Sequence, residues 1–235
     1  MNGSDYRLVL GSRSPRRLEL LRQIHPAHLI EVVPPSTTDE AGFADLYDWP
    51  AIERRLLEIA TTKCQDVAAQ TRVALSPLSP RGRWAGGEGA HGDLKRPIVI
   101  AADTVVIVDR RGDLHVLGQP PDDDSWRKTV RRWFHEDFAG KTHLVATALI
   151  LEHVDSAKRV SRVVTSRVTF TNHVDRWLDW YLVTGESRGK AGGYALQGAG
   201  SIFVSKVEGS LSNVVGLPLA ELLEMLETLS SSLDR

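Results

Sequence analysis

Three arginines and two serines lie close together in residues 12–17, which read Ser-Arg-Ser-Pro-Arg-Arg. The preceding apolar run at 8–10 predicts a strand, and Ser14 and Pro15 suit the N-cap and first position of a helix. Backbone N–H groups at a helix start, serine hydroxyls and guanidinium groups all bind phosphate oxygens. The segment therefore predicts a polyphosphate cradle, although it lacks the Gly-Lys-Ser/Thr ending of a Walker A loop. A capped surface helix with solvated arginines explains the same pattern equally well.

Asp103 follows the continuous apolar run at 98–102, which is typical of a strand buried on both faces. A carboxylate at the carboxyl end of such a strand lies where α/β proteins usually bind ligands. It could hold Mg²⁺ or orient and deprotonate a water molecule. An aspartate that merely caps a turn is the alternative.

The glycine-rich segment 189–198 contains two side chains that suit a phosphorylated ligand, Lys190 and Gln197. Glycine lets the backbone approach a ligand closely, and lysine neutralises phosphate charge. A flexible hairpin is the competing interpretation.

The elements that position these residues follow from apolar spacing. Strands are predicted at 8–10, 29–33, 98–102, 105–108, 115–117, 144–151, 162–170 and 202–204, and helices at 15–25, 51–70, 125–138, 174–182 and 219–229. Strands alternate with helices, so the class is α/β with a mixed sheet. The stretch 75–97 is rich in Gly, Pro and Ser and is interpreted as a flexible insertion within one domain spanning 1–235. The serine tail after 229 is expected to fray.

Composition excludes several classes of protein. A net charge of −1 from 29 basic and 30 acidic residues argues against a general nucleic-acid binder. The one cysteine, Cys64, excludes an intramolecular disulfide and is interpreted as a small core residue. No apolar run approaches the roughly 20 residues that span a bilayer, and the N-terminal run is too short for a signal peptide. The eight histidines show no zinc-binding spacing, and a cytoplasmic location is expected.

Several tryptophans fall at helical spacing and are expected to make core or dimer contacts. They are Trp126, Trp133, Trp177 and Trp180.

Taken together and in order, six strings resemble the Maf family of nucleoside triphosphate pyrophosphatases, in the form typical of its dTTP/UTP-preferring branch. They are Gly-Ser-Arg-Ser-Pro-Arg-Arg at 11–17, Ala-Asp-Thr-Val-Val at 102–106, Leu-Gly-Gln-Pro at 117–120, Gly-Lys-Thr-His at 140–143, Lys-Ala-Gly-Gly-Tyr-Ala-Leu-Gln-Gly at 190–198 and Asn-Val-Val-Gly-Leu-Pro at 213–218. Each string alone is weak evidence, but the set covers nearly the whole chain.

The resemblance implies an α/β fold in which a central mixed twisted sheet is flanked by helices and two lobes enclose a cleft, often in a homodimer. The implied enzyme hydrolyses nucleoside triphosphates (dTTP, UTP and modified pyrimidine nucleotides) to monophosphate and pyrophosphate with Mg²⁺ or Mn²⁺, which cleans the nucleotide pool. Neither nucleic acid nor a membrane is an expected partner.

The resemblance also implies roles for individual residues of this sequence. The expected substrate-binding residues are Ser12, Arg16, Arg17, Gln119, Lys190 and Gln197. The expected catalytic residues are Asp103, Lys63 and Glu40, with Asp103 and Glu40 holding the metal and Asp39 as the alternative to Glu40.

Two positions depart from the family pattern. Gln119 stands where the family typically has lysine, and Gly189 where it often has aspartate. A lost cation beside a polyanionic transition state weakens catalysis, although Arg13 or Arg110 could compensate. A catalytically weakened nucleotide-binding regulator of cell division is therefore the alternative function.

Overall fold

A mixed sheet of seven strands forms the centre of the protein in this computed structural model, which describes residues 6–36, 42–76 and 95–233. The strands are β1 (Tyr6–Gly11), β2 (Ile30–Val32), β3 (Lys95–Arg110), β4 (Asp113–Leu117), β5 (Thr142–His153), β6 (Arg159–Phe170) and β7 (Val204–Glu208). The α-helices are α1 (Pro15–Ile24), α2 (Trp49–Leu75), α3 (Trp126–Trp133), α4 (Asp175–Thr184), α5 (Leu211–Val215) and α6 (Leu219–Leu233). The predicted α/β class with a central mixed sheet is confirmed.

The long strand β3 joins the parallel and antiparallel parts of the sheet. The order is β2-β1-β3-β5-β6-β7, with β1 parallel to β2 and β3, and β5, β6 and β7 each antiparallel to the strand before it. On one edge of β3, β1 pairs up to Ala101 and β4 pairs from Val106 onward, while β5 occupies the other edge. Among the described residues, 102–105 therefore have no strand partner on the first edge, and a cleft opens at this gap between β1 and β4.

Helices cover both faces of the sheet around β1 and β3, because successive side chains of a strand point to opposite faces. Val99 and Ala101 pack against α2 and lie in one cluster with Cys64 of that helix. Ile98 and Ile100 face the opposite way and pack against α1 and α6. Both faces are apolar, which explains the continuous hydrophobic run at 98–102.

The other end of the sheet has a separate, aromatic core. The rings that pack together there have centroids 4.9 to 6.1 Å apart in the contacting pairs, and they belong to Phe134, Phe138, Phe170, Phe203 and Tyr181. The helices α3 and α4 supply part of this core. The cleft lies between this region and the α1/α2 region, as expected for two lobes.

Three predicted boundaries are wrong. The runs 98–102 and 105–108 belong to one unbroken strand, because Asp103 and Thr104 stay paired with β5. Residues 202 and 203 end a 3₁₀ turn (Ala199–Phe203), so the last strand begins only at Val204. The serine tail does not fray before Leu233, since α6 continues and Ser230 is buried.

Other predictions are refined. The helix predicted at 51–70 starts earlier and ends later, with the Asp48 carboxylate accepting the Ala51 N–H at 2.9 Å. The ends of the predicted insertion belong to α2 and β3, and its centre, 77–94, lies outside the described residues. Trp126 and Trp133 are core residues as expected. Trp177 and Trp180 are about half exposed and are not core residues, so for these two only the expected dimer contact stays a prediction.

No helix among the described residues is both long enough and apolar enough to cross a membrane.

Candidate active site

The cleft between β1 and β4 along one edge of β3 has a volume of about 400 Å³ and a strongly cationic lining. The charged side chains that line it, among the described residues, are Arg13, Arg16, Arg17, Lys63, Lys190 and Asp103. Five cations against one carboxylate create a positive potential that attracts a polyanion. Eight of the nine residues that the sequence assigned to the site lie in this lining, including Ser12, Gln119 and Gln197.

Ser12 lies at the turn between β1 and α1, buried with 5% of its surface exposed. Its Oγ accepts the Ser14 N–H at 3.1 Å and an Arg17 N–H at 3.2 Å. Both oxygen lone pairs are thus engaged, and the hydroxyl hydrogen is left as a donor. The predicted N-cap role of Ser14 is correct in position, but its side chain makes no capping hydrogen bond.

Arg16 and Arg17 are adjacent in sequence and differ in surroundings. Arg17 donates from Nε to the Gly216 carbonyl at 2.8 Å and from Nη2 to Thr104 Oγ1 at 2.9 Å. It therefore joins α1 to β3 and to the loop after α5. Arg16 makes no hydrogen bond to another described residue, so its guanidinium is available to a ligand in the cleft.

Asp103 and Lys63 form an ion pair at the base of the cleft. Lys63 Nζ donates to Asp103 Oδ1 at 2.5 Å, and the two side chains are 15% and 14% exposed. Lys63 comes from α2, whose one face covers β3, and Asp103 points to that same face. The aspartate is in mid-strand rather than at a strand end. It lies within the stretch 102–105 that pairs with β5 on one edge only, which is why the cleft reaches it from the other edge.

The opposite wall is the loop between α4 and β7. Lys190 Nζ donates to the Glu186 carbonyl at 2.5 Å. Burial, and then the positive charge of Arg16, lower the pKa of Lys190 from its usual value. Two cations thus oppose each other across the cleft, and an anion between them would relieve their repulsion. Gln197 is exposed on the same loop.

Gln119 and Gly189 both line the cleft and are exposed. Gly189 has a φ of +66°, a conformation that glycine adopts without strain. The segment that carries Gln119 is joined to the segment that carries Gly189 by a hydrogen bond of 3.0 Å from the Gly192 N–H to the Gly118 carbonyl.

Tyr194 links the cleft to the aromatic core. Its hydroxyl lies 2.8 Å from His143 Nε2, and both residues are almost fully buried. Burial lowers the pKa of His143 to about 3, so the imidazole stays neutral near pH 7. His143 therefore holds Tyr194 in place and is not a proton carrier for the cleft.

Some sequence predictions concern residues elsewhere. Glu40 and its alternative Asp39 lie outside the described residues. Arg110 is not in the lining and cannot replace the missing lysine, because the buried Asp137 holds its guanidinium with two hydrogen bonds of 2.8 Å. Cys64 is fully buried, and burial raises the pKa of its thiol to about 12, which excludes a nucleophile.

Sequence reasoning missed Glu186, which organises the loop carrying Lys190 and Gln197. Nothing in its immediate sequence distinguishes it from a solvated glutamate after a helix. The signal is tertiary, since the two backbone N–H groups that its carboxylate accepts, those of Ala199 and Gly200, lie 13 and 14 positions away.

The chain is similar to known proteins over nearly its whole length. The model of the Maf-like protein family matches residues 7–229. The chain is 35% identical over 224 residues to a dTTP/UTP pyrophosphatase of Anaeromyxobacter sp. (strain Fw109-5), covering 94% of this chain and 88% of that protein. It is 38% identical over 219 residues to the enzyme of the same name from Anaeromyxobacter dehalogenans (strain 2CP-1), covering 92% and 90%.

A third relative, a dTTP/UTP pyrophosphatase of Ruminiclostridium cellulolyticum, is 31% identical over 226 residues, which cover 96% of this chain and 97% of that protein. The matches extend over both lobes and the cleft between them. The chain belongs to the Maf family.

Proposed function

We propose that this chain hydrolyses dTTP and UTP to nucleoside monophosphate and pyrophosphate. The observation that carries the proposal is the cleft itself, where five cationic side chains surround a single described carboxylate, Asp103. A triphosphate is the ligand whose charge this lining complements. The names of the three relatives support dTTP and UTP as the nucleotides.

The side chains suggest a division of work in the reaction. Arg16, Lys190, Ser12 and the N-terminus of α1 bind phosphate oxygens. The Asp103 carboxylate orients a water molecule and takes its proton as the oxygen attacks the α-phosphorus. The bond from that phosphorus to the bridging oxygen breaks, and pyrophosphate leaves with the bridging oxygen and its negative charge. Lys63 Nζ donates to the Asp103 carboxylate and so holds it in place at the base of the cleft.

A divalent cation fits the residues present. No cluster of three or more His, Cys, Asp or Glu side chains occurs in the described ranges, so a site made of protein ligands alone is not built there. Mg²⁺ commonly takes one or two carboxylates and completes its shell with substrate phosphates and water. Asp103 suits that role, and the assignment of Glu40 as a second ligand remains a prediction. The metal would neutralise phosphate charge when bound.

The alternative function is binding without turnover. It is favoured by Gln119, which places an uncharged amide at the rim of the cleft where the Maf pattern has lysine. Nucleotide binding with no pyrophosphate release would identify this second function.

The test measures pyrophosphate release from a panel of nucleoside triphosphates with Mg²⁺ or Mn²⁺. Wild type is expected to act on dTTP and UTP, and Asp103→Asn to lose about 100-fold or more of that rate, the typical contribution of a general base. Asp113→Asn, at an exposed position that starts β4, is the matched control and keeps the wild-type rate. A folded wild-type protein that releases no pyrophosphate would overturn the proposal.

Three further sequence-based expectations remain predictions. They are a homodimer, the lack of a nucleic-acid partner and a cytoplasmic location.

A further inference from the structure

Glu186 follows the C-terminal glycine of α4 and uses every polar group it has. Its Oε2 accepts the Ala199 N–H at 2.7 Å, and its Oε1 accepts the Gly200 N–H at 2.9 Å and the Tyr181 hydroxyl at 3.2 Å. Its backbone carbonyl accepts Lys190 Nζ. Hydrogen bonds to an ionised acceptor are roughly twice as strong as neutral ones, so this carboxylate is a strong anchor.

The loop is folded tightly around this carboxylate. A Cβ at Gly198 would lie 2.1 Å from Glu186 Oε2, and a Cβ at Gly200 would lie 2.9 Å from the Ala195 nitrogen. Real Cβ atoms do not approach so closely. The path of the backbone at 198–200, just after Gln197, therefore depends on glycine at these positions and on the Glu186 carboxylate.

Glu186 therefore contacts both arms of the wall that carries Lys190 and Gln197. Its carbonyl holds the first arm through Lys190, and its carboxylate holds the second arm just after Gln197. Glu186 itself is absent from the lining of the cleft, so it does not reach a ligand there.

We propose that Glu186 is a positioning residue of the active site, which sets the reach of Lys190 and Gln197 toward the triphosphate. The proposal rests on the proposed function, because it assigns those two side chains to substrate binding.

Glu186 also acts on Lys190 through its charge. Burial and Arg16 lower the pKa of Lys190, whereas Glu186 opposes that change. Removing the negative charge lowers the pKa further, and Lys190 then loses its proton at a lower pH. The basic limb of the pH profile of kcat/KM is therefore expected to move to lower pH in Glu186→Gln.

The test compares Glu186→Gln with Glu227→Gln, an exposed glutamate of α6, in pyrophosphate release from UTP. The amide cannot accept all three donors, so one backbone N–H loses its partner. KM is expected to rise about tenfold or more, as for other lost hydrogen bonds to a charged group, while kcat falls less. The basic limb of the pH profile of kcat/KM is expected at lower pH than in wild type. A merely less stable protein would instead lose kcat at unchanged KM. Wild-type KM and pH profile in Glu186→Gln overturn the proposal.

Two further measurements keep the test decisive. Gly198→Ala retains the charge but displaces the carboxylate, so it should raise KM and leave the basic limb nearly unmoved. It replaces Glu186→Gln if that variant does not fold, and a wild-type KM in Gly198→Ala then overturns the proposal. If wild type hydrolyses no nucleotide, the proposed function fails separately. The positioning role of Glu186 is then tested by amide hydrogen exchange of Ala199 and Gly200, measured in whichever of the two variants folds and compared with wild type. Faster exchange supports the positioning role, and wild-type exchange rejects it.

Discussion

At the scale of single residues, neighbours with similar chemistry have different tasks. Arg17 is held by the Gly216 carbonyl and Thr104 and serves the architecture of the cleft, whereas Arg16 faces Lys190. Gln119 is exposed at the rim, where an added charge would be separated by solvent from a triphosphate bound in the cleft.

Replacing Gln119 by lysine is expected to raise kcat/KM for UTP about 1.4- to fivefold at low salt, because an exposed ionic contact is worth about 0.2 to 1 kcal/mol. The gain should shrink at high ionic strength. Steady-state kinetics at two salt concentrations measure it. Gln23→Lys, which adds the same charge at an exposed position of α1, should leave kcat/KM unchanged. A Gln119→Lys enzyme no faster than wild type would contradict the role of a rim charge.

At the scale of elements, the short helix α5 connects the sheet to Arg17 in the cleft. Asn213 is fully buried, and its Nδ2 donates to the Val145 carbonyl at 3.1 Å and to Ser166 Oγ at 3.0 Å. The loop that ends α5 presents the Gly216 carbonyl to Arg17. The position of Arg17 thus depends on an amide that does not line the cleft.

Asn213→Ala is expected to lower the free energy of unfolding by about 1 to 3 kcal/mol, since it leaves buried acceptors without a donor. Activity should fall as well, because α5 no longer holds the Gly216 carbonyl firmly. Urea unfolding measures the first effect and pyrophosphate release the second. The exposed Asn172 supplies the control, Asn172→Ala, expected to stay near wild type. An Asn213→Ala protein of unchanged stability would show that the network contributes little.

At the scale of the whole molecule, the cleft draws its walls from both lobes. Ser12 comes from the turn after β1 and Arg16 from the first turn of α1. Lys190 and Tyr194 come from the loop after α4. The cationic side chains repel one another across the gap until an anion lies between them. A triphosphate should therefore stabilise the folded protein as a unit.

We expect UTP with Mg²⁺ to raise the melting temperature of Asp103→Asn protein, which turns over slowly. At a concentration of 100 times Kd, a ligand adds about 2.7 kcal/mol of stability, or about 5 to 10 °C for a protein of this size. Differential scanning fluorimetry measures the shift. Uridine, which lacks phosphate, should shift the melting temperature little, and an equal shift with uridine would argue against a phosphate-binding cleft.

Much of the fold was accessible from sequence, because apolar periodicity is a local property. The buried run at 98–102 and the helical spacing of α1, α2 and α6 reflect which faces meet the core. The cradle at 12–17 was also readable, since a strand, a turn and a helix start are adjacent in the chain. Order along the chain determined that Ser12 and Arg16 face the same site.

Only the tertiary structure decided which distant groups are in contact, although the family resemblance had assigned Lys63 and Asp103 to one site. Lys63 and Asp103 are 40 positions apart, and Arg17 and the Gly216 carbonyl are 199 apart. These contacts depend on strand order, on register and on the gap between β1 and β4 along one edge of β3. The same holds for Arg110, drawn away from the cleft by Asp137, and for Glu186, whose carboxylate meets N–H groups brought back by a folded loop. Local periodicity does not predict such long-range contacts, because they arise from the packing of elements that are far apart in sequence.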